Sequence, residues 1–364
     1  MFPQPEESEA SSRESRFYLM KHKWKWLGAL IFLIITGWWL YATARRQGFR
    51  WQTFVGTLEG LQVHWLVVAS ACAFVTYYIR ALRWAVLIRP VSPHPSMRGL
   101  FVATVIGFTA VTLFGRPGEF VRPYLISLKE KIPFSSQIAA WLLERIFDLL
   151  IALVVFGFAL AHVRSSGLTA GPALSWVLTF GGRFVGVMAA ISLVVFVLLR
   201  HFSEPMRRRL LDGLAFLPAH RFARAERLVN AFVQGAEATR SELSLLLLTI
   251  YTVLEWVAIA TCYLCIARAY GDTLHFGWTD VLIFMGFVSF GAVIQIPGIG
   301  GGVQVVTILV LTELFQVPLE IATSLALLLW FIMFVVIAPL GITLAIREGL
   351  DWAKLRSMAR EAEL

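Results

Sequence analysis

Six charged residues stand in sequence that is otherwise apolar. Arg116, Glu119 and Arg122 lie in GRPGEFVRP, and Glu144, Arg145 and Asp148 lie in ERIFD. The apolar runs around them are long enough to be embedded in a membrane. A charge near the bilayer centre costs about 2.5–3.5 kcal/mol on insertion scales, so such residues are rare unless they handle something polar or pair with one another. Both signs are present, so pairing can lower that cost. Two arginines beside a helix break can grip phosphate oxygens bidentately, and the free N–H groups of the break add a positive dipole end. The headgroup of an anionic phospholipid or a polyprenyl-phosphate lipid fits this chemistry, with Glu119 pairing one arginine until substrate arrives. An arginine–glutamate clamp of purely structural role is the alternative.

Glu144 and Asp148 are four residues apart and share one helix face, with Arg145 rotated by about 100°. They either line a polar path, for headgroup binding or proton relay, or form an ion pair that locks their helix to the break. A second break, Pro297-Gly-Ile-Gly-Gly-Gly302, carries no charge. Its glycines Gly298, Gly300 and Gly301 allow close backbone approach to a ligand, and Gln304 is a nearby polar side chain. Tight helix packing would use the same glycines. Glu255, Arg268 and Glu313 are further candidates, and Glu255 has no partner visible in the sequence.

The surrounding chain explains where these groups must sit. Of 364 residues, 58% are hydrophobic and 15% charged. Soluble domains are about 45–50% apolar and about 25% charged, so the chain reads as an integral membrane protein. Its net charge of +9 is then the positive-inside bias and attraction to anionic headgroups, and no nucleic-acid partner is expected. Cys72, Cys262 and Cys265 all lie in apolar segments and read as packing residues. P-loop, HExxH and GxSxG motifs are absent, so no nucleotide, metal or cofactor is expected and an enzyme is not the leading expectation.

Six segments are predicted as full spans: about 24–43, 61–79, 136–162, 175–199, 243–269 and 319–346. Each can cross roughly 30 Å of hydrocarbon as a helix. Residues 99–127 and 278–316 are each broken midway by glycine and proline. Irregular backbone at membrane depth survives only inside protein or beside a wet cavity, so both are predicted as re-entrant helical hairpins. The fold class is therefore all-α integral membrane, with about eight membrane segments. Residues 1–20 are polar and predicted disordered, 21–348 form one polytopic domain, and 349–364 form a tail.

Loop charge gives an orientation. Arginines after the second, fourth and last predicted spans (Arg80, Arg83, Arg89 and Arg98; Arg200 to Arg227; Arg347 to Arg360) fall on one side when both termini are cytoplasmic. Arg45, Arg46 and Arg50 count against it. In this topology residues 61–162 and 243–346 are half-repeats of opposite orientation, a pointer to a transporter with a site near the midplane. The basic linker 201–241 reads either as a solvated connection or as an amphipathic stretch on the cytoplasmic leaflet. Tryptophans near predicted span ends, Trp65 and Trp84 among them, read as interface residues.

Four motifs in order carry a resemblance: Arg80-Ala-Leu-Arg-Trp84, Gly115-Arg-Pro-Gly-Glu-Phe-Val-Arg122, Glu144-Arg145 with Asp148, and Pro297-Gly-Ile-Gly-Gly-Gly302. Together they resemble the lysylphosphatidylglycerol synthase transmembrane family, also called the flippase-like domain family, over about residues 25–348. The resemblance implies a bacterial inner-membrane protein that moves lipids between leaflets. Larger members add an aminoacyl-transferase domain, for which 364 residues leave no room, so aminoacyl-lipid synthesis is not expected. Two departures stand out. Gln304 occupies a place where the family often has glutamate, and Trp330 a region where it often has arginine. The leading expectation is a lipid flippase or scramblase. The alternatives are an intramembrane enzyme or accessory subunit acting on a lipid-linked substrate, and a polar-solute transporter. Oligomeric state is not legible.

Overall fold

The structure is a computed structural model that describes residues 48–166, 171–200, 204–214, 241–291, 295–296 and 300–350, with isolated positions between 216 and 230. The expected disordered N-terminus, the span at about 24–43, Gly298, most of the 201–241 linker and nearly all of the tail lie outside the described residues. The chain forms two compact units, one ending at Val55 and one beginning at Gly56. In the first, Phe49, Trp51 and Phe54 form a ring cluster, with centroids 4.9 Å apart for Phe49 and Trp51. Helix α1 spans Trp51–Glu59.

The second unit is a helical membrane body. Its helices are α2 (Val63–Ile88), α3 (Met97–Phe114), α4 (Val121–Glu130), α5 (Phe134–Ser165), α6 (Pro172–Arg200), α7 (Glu204–Gly213), α8 (Glu242–Arg268), α9 (Trp278–Gly291), α10 (Gly302–Glu313), α11 (Leu319–Trp330) and α12 (Ala338–Arg347). A 3₁₀ turn, Arg116–Phe120, joins α3 to α4, and a π turn, Phe331–Val335, joins α11 to α12. Residues 295–296 and 300–301 pair as a minimal antiparallel ribbon between α9 and α10. Among the described residues six helices are long and apolar enough to cross a bilayer. The protein is thus a multi-pass membrane protein.

Five of the six expected spans are among these six helices. The other is Met97–Phe114, expected only as one arm of a hairpin but long enough to cross by itself. The second span also differs. It was expected to stop at residue 79, with Arg80 and Arg83 in a loop, yet α2 runs on to Ile88. The apolar sequence of Ala81, Leu82 and Trp84–Ile88 continues the helix until Arg89-Pro90. The two arginines are tolerated inside it because carboxylates from other helices neutralise them.

Both broken regions fold back on themselves. Helix α3 ends at Gly115, whose φ of +72° would strain any residue with a side chain, and Pro117 cannot continue the ladder. The chain then reverses, so that the α3 residue Gly107 lies against Arg122 of α4. A Cβ on Gly107 would meet the Arg122 Cβ at 2.5 Å. In the second region the ribbon pairs Gln295 with Gly301 and Ile296 with Gly300, and α9 packs on α10.

The helices pair in a repeating pattern. Helix α2 lies antiparallel to α8, from the Gln62 N–H donating to Ala269 O at one end to Arg83 meeting Glu255 further along. The last helix of the first half, α5, packs on α9 near Gly286, while the last helix of the second half, α12, packs on α3 through Gly341 and Thr109. Two apolar clusters result. One gathers Trp84, Leu100, Ile126 and Leu143, and the other Phe156, Ile266, Phe287 and Leu325. By contrast α6 leaves most of its surface exposed and apolar, as at Val187 and Val194, which suits contact with hydrocarbon.

Candidate functional site

Between these clusters four helices bring their charges together. Glu144 on α5 is completely buried. Arg122 of α4 grips its carboxylate with both terminal nitrogens, Nη1 donating to Oε1 at 3.1 Å and Nη2 to Oε2. The Trp84 indole N–H of α2 donates to the same Oε2 at 3.0 Å. The Arg122 guanidinium also stacks on rings, 4.5 Å from the Trp84 centroid and 5.3 Å from that of Phe108. A buried charge survives only when paired and hydrogen-bonded, and here both members of the pair are satisfied.

Arg83 of α2 is the hub. Its Nη1 lies 2.7 Å from Asp148 Oδ1 and 2.5 Å from Glu255 Oε2, and its Nη2 donates to the Glu144 carbonyl oxygen at 3.2 Å. Glu255 of α8 also accepts Arg80 Nη2 on its other oxygen, at 2.7 Å. The planar guanidinium suits such bridging because its donors are fixed in a fork. One turn of α5 separates Glu144 from Asp148, and Arg145 spans them, its Nη2 3.4 Å from Glu144 Oε2 and 3.3 Å from Asp148 Oδ2.

The cluster opens into a cavity of about 370 Å³. Its wall carries the polar side chains Arg80, Arg116, Glu119, Arg122, Arg145 and Asp148. Apolar and aromatic residues complete it, Ala152, Trp256, Ile259, Tyr263 and Met285 among them. Arg116 and Glu119 sit on the 3₁₀ turn, 3.0 Å apart, with Arg116 half exposed. Phe108 stacks with two cations, Arg80 at 4.4 Å and Arg122 at 5.3 Å from its ring centroid. The π turn contributes Met333 and Phe334 to the wall. Its carbonyls are held from outside, Met333 O by the Tyr77 hydroxyl at 2.8 Å and Phe334 O by Thr112 Oγ1 at 3.0 Å.

The structure therefore brings Arg116, Glu119, Arg122, Arg145 and Asp148 to one cavity wall, while Glu144 is buried off that wall as the partner of Arg122. The second break behaves differently. Gly301 N donates to Gln304 Oε1 at 2.7 Å, capping α10, while Gly300 pairs in the ribbon. Among the described residues of the cavity wall, that hairpin contributes Met285 and Ser289 rather than Gly301 or Gln304. Glu313 caps the start of α6 through Leu174 N at 2.9 Å, and Arg268 lies over the Trp65 ring at 5.7 Å. Sequence reasoning missed Arg80 and Arg83 as cluster members. Their signal was the unbroken apolar run beyond them. Trp84, expected at an interface, is fully buried as a hydrogen-bond donor.

Comparison with known proteins fits this picture. Over 104 residues, 28% of this chain, the sequence is 30% identical to a protein named Glycosyltransferase AglD from Haloferax volcanii. The match spans 17% of that relative's length. The sequence profile described as the Lysylphosphatidylglycerol synthase TM region matches residues 25–341, nearly the whole chain, and the protein belongs to that family.

Proposed function

We propose that this protein carries a lipid with an anionic headgroup from one leaflet to the other, acting as a flippase or scramblase. The observation that carries this reading is the mixed cavity. Four arginines and many apolar and aromatic side chains line one space inside a bundle of membrane helices. A headgroup is held by Arg116, Arg122 and their neighbours, while acyl chains follow the apolar part of the wall or stay in lipid. Ligand sites of this size commonly combine an apolar lining with a few convergent polar groups.

The helix pairing supports an inverted repeat. Exchanging the two halves, 61–162 and 243–346, maps the α2–α8 pair onto itself and the α5–α9 pair onto α12–α3. Within that reading both broken regions are re-entrant hairpins entering from opposite faces, and the polar cluster lies near the midplane. Gly300 and Gly301 would then belong to the ribbon between the arms of the second hairpin, with Gln304 capping its second arm. Cytoplasmic termini and a bacterial inner membrane complete the reading, from loop charge and from the family.

The test is translocation of a headgroup-labelled anionic phospholipid in proteoliposomes, wild type beside Arg116→Ala and Glu119→Gln. Both residues sit on the 3₁₀ turn, with Arg116 half exposed. Movement by the wild type, reduced at least about tenfold in Arg116→Ala by the loss of a charge-assisted contact, is expected, while Glu119→Gln removes only the partner that holds Arg116. No movement across a panel of anionic lipids would overturn the reading. The partial similarity to a protein named a glycosyltransferase favours one second reading, in which the helices present a lipid-linked substrate for glycosyl transfer. Product formed from radiolabelled lipid by the purified protein would support it instead.

A further inference from the structure

The ion pairs around the cavity leave one cation over. Among the described residues of the cluster, Arg80, Arg83, Arg122 and Arg145 face Glu144, Asp148 and Glu255, so four positive charges meet three negative ones. Arg116 and Glu119 cancel each other.

The distances show which cation is the surplus one. Glu144 takes both terminal nitrogens of Arg122 and the Trp84 N–H. Glu255 takes Arg80 and Arg83, at 2.7 and 2.5 Å. Asp148 takes Arg83 at 2.7 Å. Each carboxylate thus has a closer cation than Arg145, whose own contacts are the longest in the cluster at 3.3 and 3.4 Å. Arg145 also keeps about a third of its side chain exposed, against 1% for Arg83 and 4% for Arg122.

An independent observation points the same way. The Nε atoms of Arg80 and Arg145 are buried, and neither has a hydrogen-bond partner among the described residues. Leaving a buried donor of a charged group unsatisfied costs about 1–3 kcal/mol or more, so such donors in a native structure call for an acceptor. Arg83 Nε is also unpartnered, but Arg83 is not among the residues of the cavity wall, whereas Arg80 and Arg145 both are. Arg80 and Arg145 line the same cavity, so an anion there meets two guanidinium groups that each keep an unused donor, the fork that phosphate oxygens accept from.

We infer that Arg80 and Arg145 form an anion cradle that selects a headgroup carrying one net negative charge, as a phosphodiester does. This rests on the lipid-carrier reading and names its substrate class. A neutral or zwitterionic headgroup leaves the surplus guanidinium uncompensated. A doubly charged phosphomonoester brings one charge more than the cluster balances in its low-dielectric setting. Arg80 is thereby a binding residue, held in place by Glu255 and by the Phe108 ring.

The experiment is equilibrium binding of three short-chain lipids to the purified full chain in detergent. The probes are phosphatidylglycerol, phosphatidylcholine and phosphatidic acid, the last a phosphomonoester that carries a second ionisable proton. Wild type is expected to bind phosphatidylglycerol about tenfold or more tighter than phosphatidylcholine, whose choline cation meets the surplus guanidinium as a like charge. Phosphatidic acid should bind no tighter than phosphatidylglycerol. In Arg145→Gln the preference over phosphatidylcholine should vanish, and in Arg145→Lys, which keeps the charge, it should survive. Arg80→Gln should weaken phosphatidylglycerol more than phosphatidylcholine. Phosphatidic acid binding tightest to wild type, or Arg145→Gln keeping the full preference, overturns the inference. Binding needs no translocation, so the two readings separate. A charge-selective protein that moves no lipid defeats the carrier reading alone, and one that moves lipids regardless of charge defeats the selectivity alone.

Discussion

Arg122 and Glu144, 22 residues apart in sequence, are joined by two parallel hydrogen bonds in the buried centre of the bundle. The pair fastens the second arm of the first hairpin to α5. It thereby fixes the relation between the break at Gly115 and the helix that carries Glu144 and Asp148.

Breaking this pair from one side should be costly. Glu144→Gln or Arg122→Gln leaves an uncompensated buried charge, and a loss of about 3–5 kcal/mol is expected. The double variant Arg122→Met with Glu144→Met removes both charges and should recover most of that loss. Thermal unfolding of the detergent-solubilised variants reads the difference. A double variant no more stable than either single one would sink this account.

Gly107 makes the pair possible by letting α4 approach. A methyl group there meets the Arg122 Cβ at 2.5 Å and its backbone nitrogen at 3.1 Å, so the arms must part. Gly107→Ala should cost about 1–3 kcal/mol, the usual range for overpacking, and Gly107→Val more. Melting temperatures of the two variants check the order.

At Arg83 a lysine cannot stand in. Arg83 serves Asp148, Glu255 and the Glu144 carbonyl from one planar group, and an ammonium cannot reach all three. Arg83→Lys is expected to lose about 1.5–3 kcal/mol, the worth of a hydrogen bond to a charged partner. The loss should be far smaller in an Asp148→Asn background, because one of those bonds is already weakened. A double-mutant cycle measured by chemical unfolding would reveal this coupling, and strict additivity would refute it.

The π turn offers a local test. Tyr77→Phe and Thr112→Val each remove a side-chain donor from a carbonyl of residues 331–335. Each should cost about 1–3 kcal/mol locally, as a buried acceptor loses its partner. Hydrogen exchange should quicken at amides 333–338 while α5 keeps its protection. Unchanged exchange there would mean that the turn holds without these side chains.

Much of this was readable beforehand, for definite reasons. The spans of α5, α6 and α8 follow from long apolar runs, and the break at Gly115 from its glycine and proline. Arg116, Glu119, Arg122, Glu144, Arg145 and Asp148 stood out because their own neighbours in sequence are apolar. Arg80 and Arg83 did not, because they follow about 19 apolar residues, enough for a span, and so resembled loop charges. Glu255 could not be assigned, since its partner Arg83 is 172 residues away. Trp84 looked like an interface residue because the acceptor for its N–H, Glu144, lies on another helix. Gln304 was grouped with the second break, and its side chain is engaged in capping the next helix. Pairings between helices are set by three-dimensional packing, and periodicity along one helix carries no record of them.

The π turn at Phe331–Val335 has one more consequence. Val336 N donates to Phe331 O, five residues back, so one extra residue is taken up within the turn. One residue is about 100° of rotation in an α-helix, so α11 and α12 run on a common axis but out of phase. Before the turn the helix presents its side chains to α10; after it, Gly341 faces α3. A single long helix thus works as a spline between the two halves, keyed at one angle to the second and at another to the first. Twisting it at the cavity wall would turn both at once.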